Sequence, residues 1–190
     1  MEWADGKRRC WWASPGNEAY VRYHDEEWGV PVRDDRMLFE MLILEGFQAG
    51  LSWECVLNKR AAFRRAFDNF DAQAVSAYGG EKLAALQSDA GIIRNRLKLR
   101  AAVGNARFFL AIQQEFGSFA SYLWGWTGGQ VVHETGLTSS PLSDAVSKDL
   151  KKRGMKFVGT TIIYAYLQAV GVICSHERGC FLAHGAGRGG

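Results

Sequence analysis

Two short segments at opposite ends of the chain can be halves of one metal site. Cys10 and His24 stand near the front, His176 and Cys180 near the back. Two thiolates and two imidazoles match the tetrahedral Cys₂His₂ set that zinc takes in closed structural sites. The back pair, His176-x-x-x-Cys180, is spaced so that one turn brings both to a single ion; the front pair needs a loop to close. If the four converge, the ends of the chain must meet, and the Trp- and Tyr-rich stretch after Cys10 is held as a rigid wall. The competing reading is four side chains that lie apart, because long-range ligand pairs are weakly specified by sequence.

Between these segments the pattern is helical. Only three prolines occur and alternating strand patterns are scarce, so an all-α fold is expected. Asp34 or Asp35 can cap a helix over residues 36–48, and Ser52 one over 53–67. Asp71 opens a short helix that Gly79-Gly80 ends; residues 81–88 form another, broken by Gly91. Further helices are expected over 93–115 and 119–126, then a loop over 128–140. Ser143 is expected to cap a helix that Gly154 terminates, and Thr160 or Thr161 to open the last one. The organisation expected is one unit, with residues 1–33 and 172–190 as a terminal lobe and 34–171 as a helical lobe. Residues 183–190 are Gly-rich and expected to be flexible.

A net charge of +3 is compatible with a nucleic-acid partner without demanding one. No apolar run approaches the roughly 20 residues that span a bilayer, so no membrane partner is expected. Residues 1–9 lack an apolar signal core, and four cysteines in a chain this size do not suggest a disulfide framework. A reducing cytoplasm is the expected setting.

Three elements carry chemistry. Leu38, Met41, Leu42, Glu45 and Ala49 follow helical spacing, which puts Glu45 on an apolar face. A buried carboxylate is unfavourable without a partner, so Glu45 is either a pocket group or paired with a surface Arg. Second, residues 150–161 read as a helix, Gly154, a tight turn burying Met155 or Phe157 with Val158, then Gly159 and a new helix. This resembles the helix-hairpin-helix motif, whose turn offers backbone N–H groups to a phosphate, with Lys151, Lys152, Arg153 and Lys156 adding positive charge. Arg94, Arg96, Lys98 and Arg100 read instead as a solvated face. Third, Trp11, Trp12, Tyr20, Tyr23, Trp28 and Trp53 are large rings, each as fit for a core as for stacking on a base.

Four stretches, in order, resemble the 3-methyladenine DNA glycosylase I family: residues 23–31 (YHDEEWGVP), 44–53 (LEGFQAGLSW), 89–94 (DAGIIR) and 153–161 (RGMKFVGTT). The resemblance runs from Cys10 to Cys180. It implies an all-α helix-hairpin-helix glycosylase with one structural zinc at Cys10, His24, His176 and Cys180, stapling the terminal segments. It also implies a base pocket with Glu45, Tyr23 and Trp53, and Tyr20, Trp12 and Trp28 close by. Gly154, Lys156, Gly159 and Thr160 would face DNA, and the backbone at Gly50-Leu51 would fill the gap left in the duplex. The expected substrate is double-stranded alkylated DNA, with free 3-methyladenine as product and the protein acting as a monomer.

Related helix-hairpin-helix glycosylases keep an Asp beyond the hairpin, whereas the only acidic residue after Gly159 is Glu177. No Lys occurs in residues 159–164, where bifunctional relatives place a Schiff-base nucleophile. So sparse a set suits a leaving group that is already cationic, such as N3-methyladenine. The other readings are a non-catalytic DNA-binding module, a glycosylase for a bulkier lesion, and a metal–thiol redox protein. For the last, Cys55 and Cys174 are candidates, but they form no C-x-x-C motif and are expected to be buried core thiols.

Overall fold

Short polar side chains start most helices in residues 3–183, the part of the chain that the computed structural model describes. Asn17 caps α1 (Glu18–Glu26) and Asp34 caps α2 (Asp35–Gln48). Ser52 caps α3 (Trp53–Leu57), which the exposed Asn58 separates from α4 (Arg60–Ala66). A 3₁₀ turn (Asp68–Phe70) leads into α5 (Ala72–Ser76), capped by Asp71, and α6 (Gly80–Ser88) follows. Asn95 caps the long α7 (Arg96–Phe116) and Ser118 caps α8 (Phe119–Gly125). Then come β1 (Val132–His133), α9 (Pro141–Arg153), α10 (Thr160–Ala169) and β2 (Ile173–Cys174).

The mainly helical expectation holds, with four corrections. Residues 53–67 form two helices. α1 is an element absent from the sequence-based expectation, although Asn17 is an ordinary cap signal. α9 starts earlier than expected: Ser140 is its cap, Pro141 its first residue, and Ser143 closes the capping box three positions on. The loop over 128–140 contains β1, which pairs in parallel with β2 in the register Val132 to Ile173. The expected tail lies, beyond Ala183, outside the described residues.

α2 is the centre of the molecule. Leu38 to Phe47 are all buried, because α3, α7, α8 and α10 pack around it. Its apolar surface is therefore not the single stripe that spacing suggested. Phe39 stacks towards Phe109, and Phe109 lies on Phe119 with ring centroids 4.1 Å apart. Asp35 accepts from the N–H groups of Phe119 and Ala120, fixing α8 to the start of α2.

The ends of the chain meet beside α10. Gly29 N–H donates to the Gln168 carbonyl and Val32 N–H to the Val170 carbonyl. Gly171 has φ +71, and a Cβ there would collide with the backbone of Val30 and Pro31, so only glycine permits this approach. Phe181 N–H donates to the Arg8 carbonyl, closing the seam.

Candidate functional site

Cys10, His24, His176 and Cys180 converge, all four buried, with their ligand atoms within 4.8 Å of one another. Nδ1 of His176 lies 3.7 Å from Cys10 Sγ and 3.6 Å from Cys180 Sγ; Nε2 of His24 lies 3.6 Å from Cys180 Sγ. Tetrahedral zinc, with Zn–S near 2.3 Å and Zn–N near 2.05 Å, would put such atoms about 3.6 Å apart. The other imidazole nitrogens are already engaged. His24 Nδ1 meets Asp25 at 2.8 Å, which Arg9 holds in turn, and His176 Nε2 meets the Trp28 carbonyl at 3.2 Å. These partners orient both rings towards the cluster as in a metal site's outer shell. Backbone N–H groups of Glu177 and Leu182 point at the two sulfurs. Burial, with Cys180 alongside, pushes the Cys10 thiol up to about 12, and burial with His24 alongside pulls His176 down to about 4. Both shifts favour uncharged forms of Cys10 and His176, and a divalent cation would instead favour thiolate. The four residues therefore fit a metal ion.

Two of the aromatic residues, Trp12 and Trp28, rest directly on this cluster. Trp12 lies 5.1 Å from the His24 ring and Trp28 4.7 Å from the His176 ring, centroid to centroid. Trp12 also contacts Trp28 at 4.9 Å and Tyr20 at 5.2 Å, and Tyr23 contacts Trp53 at 5.4 Å. Tyr20 and Tyr23 come from α1, Trp53 from the start of α3. Trp11, by contrast, is 85% exposed.

Glu45 is 2% exposed, and among the described residues no Arg pairs with it. Its Oε2 has no hydrogen-bond partner there, and neither do the buried atoms Trp53 Nε1 and Gln48 Oε1 close by in the chain. Burial alone raises its carboxyl well above the ordinary range. Its charge in turn adds to the burial that raises the Tyr20 and Tyr23 hydroxyls. The α2 glutamate that does pair with arginines is Glu40, five positions earlier, held by Arg60 and Arg64; Arg60 also grips Glu27. No sequence signal singled out this network.

At the hairpin, Gly154 ends α9 at φ +107, and a Cβ there would collide with the Phe108 ring. Its glycine is thus required by the fold itself. Met155 and Val158 are buried, and Phe157 takes a left-handed φ of +56. Gly159 caps α10 without any side chain, so the helix presents its first N–H groups bare. Lys151, Lys152 and Lys156 are exposed. Arg153, expected from sequence to add free positive charge, is instead paired with Asp149 and Glu115. The Thr160 hydroxyl is likewise committed, to Asp144 at 2.6 Å and Ser143 at 2.8 Å, which leaves only its backbone to a ligand. Gly50 turns at φ +79 with open space around it, and Leu51 is 43% exposed. Lys98 contradicts the solvated-face reading: it is buried under this turn. Cys55 and Cys174 are half-buried rather than core thiols, and all four cysteines are free.

The Methyladenine glycosylase family model matches residues 11–183. The chain is 48% identical over 178 residues to DNA-3-methyladenine glycosylase 1 of Escherichia coli K12, covering 90% of this chain and 95% of the relative. A crystal structure of 3-methyladenine DNA glycosylase I superposes with a TM-score of 0.88 at 47% identity, over 92% of this chain and 99% of that one. A variant of 3-methyladenine DNA glycosylase I, solved in complex with 3-methyladenine, gives 0.87 at 32% identity, over 90% and 95%.

Proposed function

The chain belongs to the methyladenine glycosylase family, and from that premise we propose that it flips N3-methyladenine out of alkylated duplex DNA and hydrolyses its glycosidic bond. The observation that carries this reading is Glu45, a fully buried carboxylate with an unpartnered oxygen beside an aromatic wall. An adenine's exocyclic amino group supplies the missing donor, and the cationic ring favours the ionised carboxylate. A guanine would present a carbonyl oxygen there and be repelled. Trp53 stacks on the ring, Tyr23 meets its edge, and Tyr20, Trp12 and Trp28 complete the wall.

The reaction needs little else. The departing base takes the electron pair of its bond to C1′, which cancels its positive charge. Water adds to C1′ and gives up a proton, and the strand is left abasic and intact. The chain's task is extraction and holding. Backbone N–H groups at the start of α10, with Lys156 near, grip a phosphate, while Gly50-Leu51 enters the gap in the duplex. One zinc at Cys10, His24, His176 and Cys180 is structural; it joins the terminal segments as one lobe and keeps the wall rigid. The protein acts as a monomer, in the cytoplasm and on nucleoid DNA.

Incubation with methylated duplex DNA and identification of the released bases tests this. 3-Methyladenine should be released, and borohydride should trap no covalent adduct, since no Lys stands at the start of α10. Efficient trapping, or release of other bases only, would overturn it.

A further inference from the structure

Lys98 is the anomaly of α7. It is 7% exposed and has no carboxylate partner among the described residues; its ammonium donates to two backbone carbonyls, Phe47 at 2.8 Å and Ala49. Burial lowers its pKa, so the charged form is held there against a penalty. Phe47 lies in the last turn of α2 and Ala49 caps it, where helix geometry leaves carbonyls without partners, and the next residue is Gly50. An ordinary lysine at a helix end does this from solvent; Lys98 does it from inside.

Seven residues on, Asn105 does the same for the hairpin. It is 5% exposed; its Nδ2 donates to the Lys156 carbonyl and its Oδ1 accepts from the Lys156 N–H, both at 2.9 Å. Seven positions are about two helical turns, so the two side chains lie on one face of α7 roughly 10 Å apart. Phe157 closes the space between them. Its left-handed backbone packs against Gly46 of α2, and Lys98 Nζ lies 5.9 Å from its ring. Ile43, Gly46, Lys98, Asn105 and Phe157 all border one small cleft.

We propose that Lys98 and Asn105 are positioning residues that make α7 a rigid spacer between the Gly50-Leu51 turn and the hairpin. Resting on the functional reading above, the spacer lets the phosphate grip and the duplex probe engage one DNA molecule at a set separation. Neither residue touches the base.

The test is Lys98→Met, which keeps the stem and removes the ammonium. Three affinities and rates are compared with wild type. Free 3-methyladenine binding and undamaged duplex binding should stay within about twofold, because pocket and hairpin are each intact. Single-turnover excision from duplex should fall at least about tenfold, the loss expected when a charge-assisted contact is removed. Asn105→Ala should instead weaken undamaged duplex binding and excision together while sparing free-base binding. Amide hydrogen exchange of residues 49–52 should speed up in Lys98→Met. Excision within twofold of wild type, unchanged exchange, or a parallel fall in all three readouts would overturn the spacer. If Lys98→Met does not fold, Lys98→Gln, which retains a donor, takes its place in the same measurements, and the same results support or overturn the spacer. Wild-type protein that releases no base would sink the functional reading, and the exchange measurement would then decide the spacer alone.

Discussion

Around Glu45, polar atoms are buried without partners; around the hairpin they are matched almost one to one. Glu45, Gln48 and Trp53 each leave an atom unpaired. At the hairpin, Ser147 satisfies the Val158 carbonyl, Asn105 satisfies both backbone groups of Lys156, and Thr160 is held by Ser143 and Asp144. Under the proposed function, a ligand supplies the donors and acceptors that the first region lacks. The second is complete in itself and offers a ligand only the bare start of α10. Recognition of a particular base requires side chains kept in want of a partner, whereas holding any phosphate requires a stiff backbone.

The largest expected effect breaks the aromatic end. Under the proposed structural zinc, Cys180→Ala removes one ligand of four, and structural zinc in small domains contributes on the order of 10 kcal/mol. The melting temperature should fall by about 10 °C or more, and a chelator should do the same to wild type. Elemental analysis should find one zinc per chain. A stable, active Cys180→Ala protein would show that the wall stands without the staple.

Glu45→Gln comes next and separates pocket from core. Affinity for free 3-methyladenine should drop about tenfold or more, the loss expected for a charge-assisted hydrogen bond, with zinc content unchanged. Stability should move the other way. The Glu45 carboxyl is raised in the folded state by burial, so its favourable, protonated form is fully present below the unfolded carboxyl range and is lost as pH rises through the folded value. Melting of Glu45→Gln relative to wild type should therefore be similar in acid and higher by a widening margin as pH rises. A margin that is flat with pH would mean that the carboxyl has a partner.

Smaller effects sharpen the hairpin side. Gly159→Val meets open space, so it tests phosphate access without the collision that Gly154 would suffer. Binding to damaged and undamaged duplex should weaken alike, by several-fold, with free-base affinity kept; a loss confined to damaged DNA would make the hairpin a reader. Lys156→Ala should flatten the salt dependence of duplex affinity by about one unit of slope. An unchanged slope in titrations over a salt series would place Lys156 off the phosphate path.

The Cys–His cluster was legible because its chemistry belongs to residue type, and the burial of Glu45 because a carboxylate amid Leu and Met is conspicuous. Its surroundings were less so. Spacing assigned α2 one apolar face, yet packing covers it all round, and a pattern of period 3.6 cannot register burial from every side. Tertiary polar contacts left no trace: Arg153 and Lys98 look like their solvated neighbours in sequence, and only the fold brings Glu115 to the one and the carbonyls at the end of α2 to the other. The break at Asn58 and Lys59 and the two-residue strands are decided by contacts too few to imprint a period.

The convergence of residues so far apart also sets an order in time. His24 and Cys180 are separated by 156 positions. At about 5–20 residues per second, His24 is made roughly eight to thirty seconds before Cys180. Throughout that interval Trp28 has no imidazole of His176 beside it, and the seam at Gly171 is not closed. Glu45 and Trp53 are thus made long before the cluster behind the aromatic wall can close, and Trp28 gains its His176 backing only once residue 176 has been made.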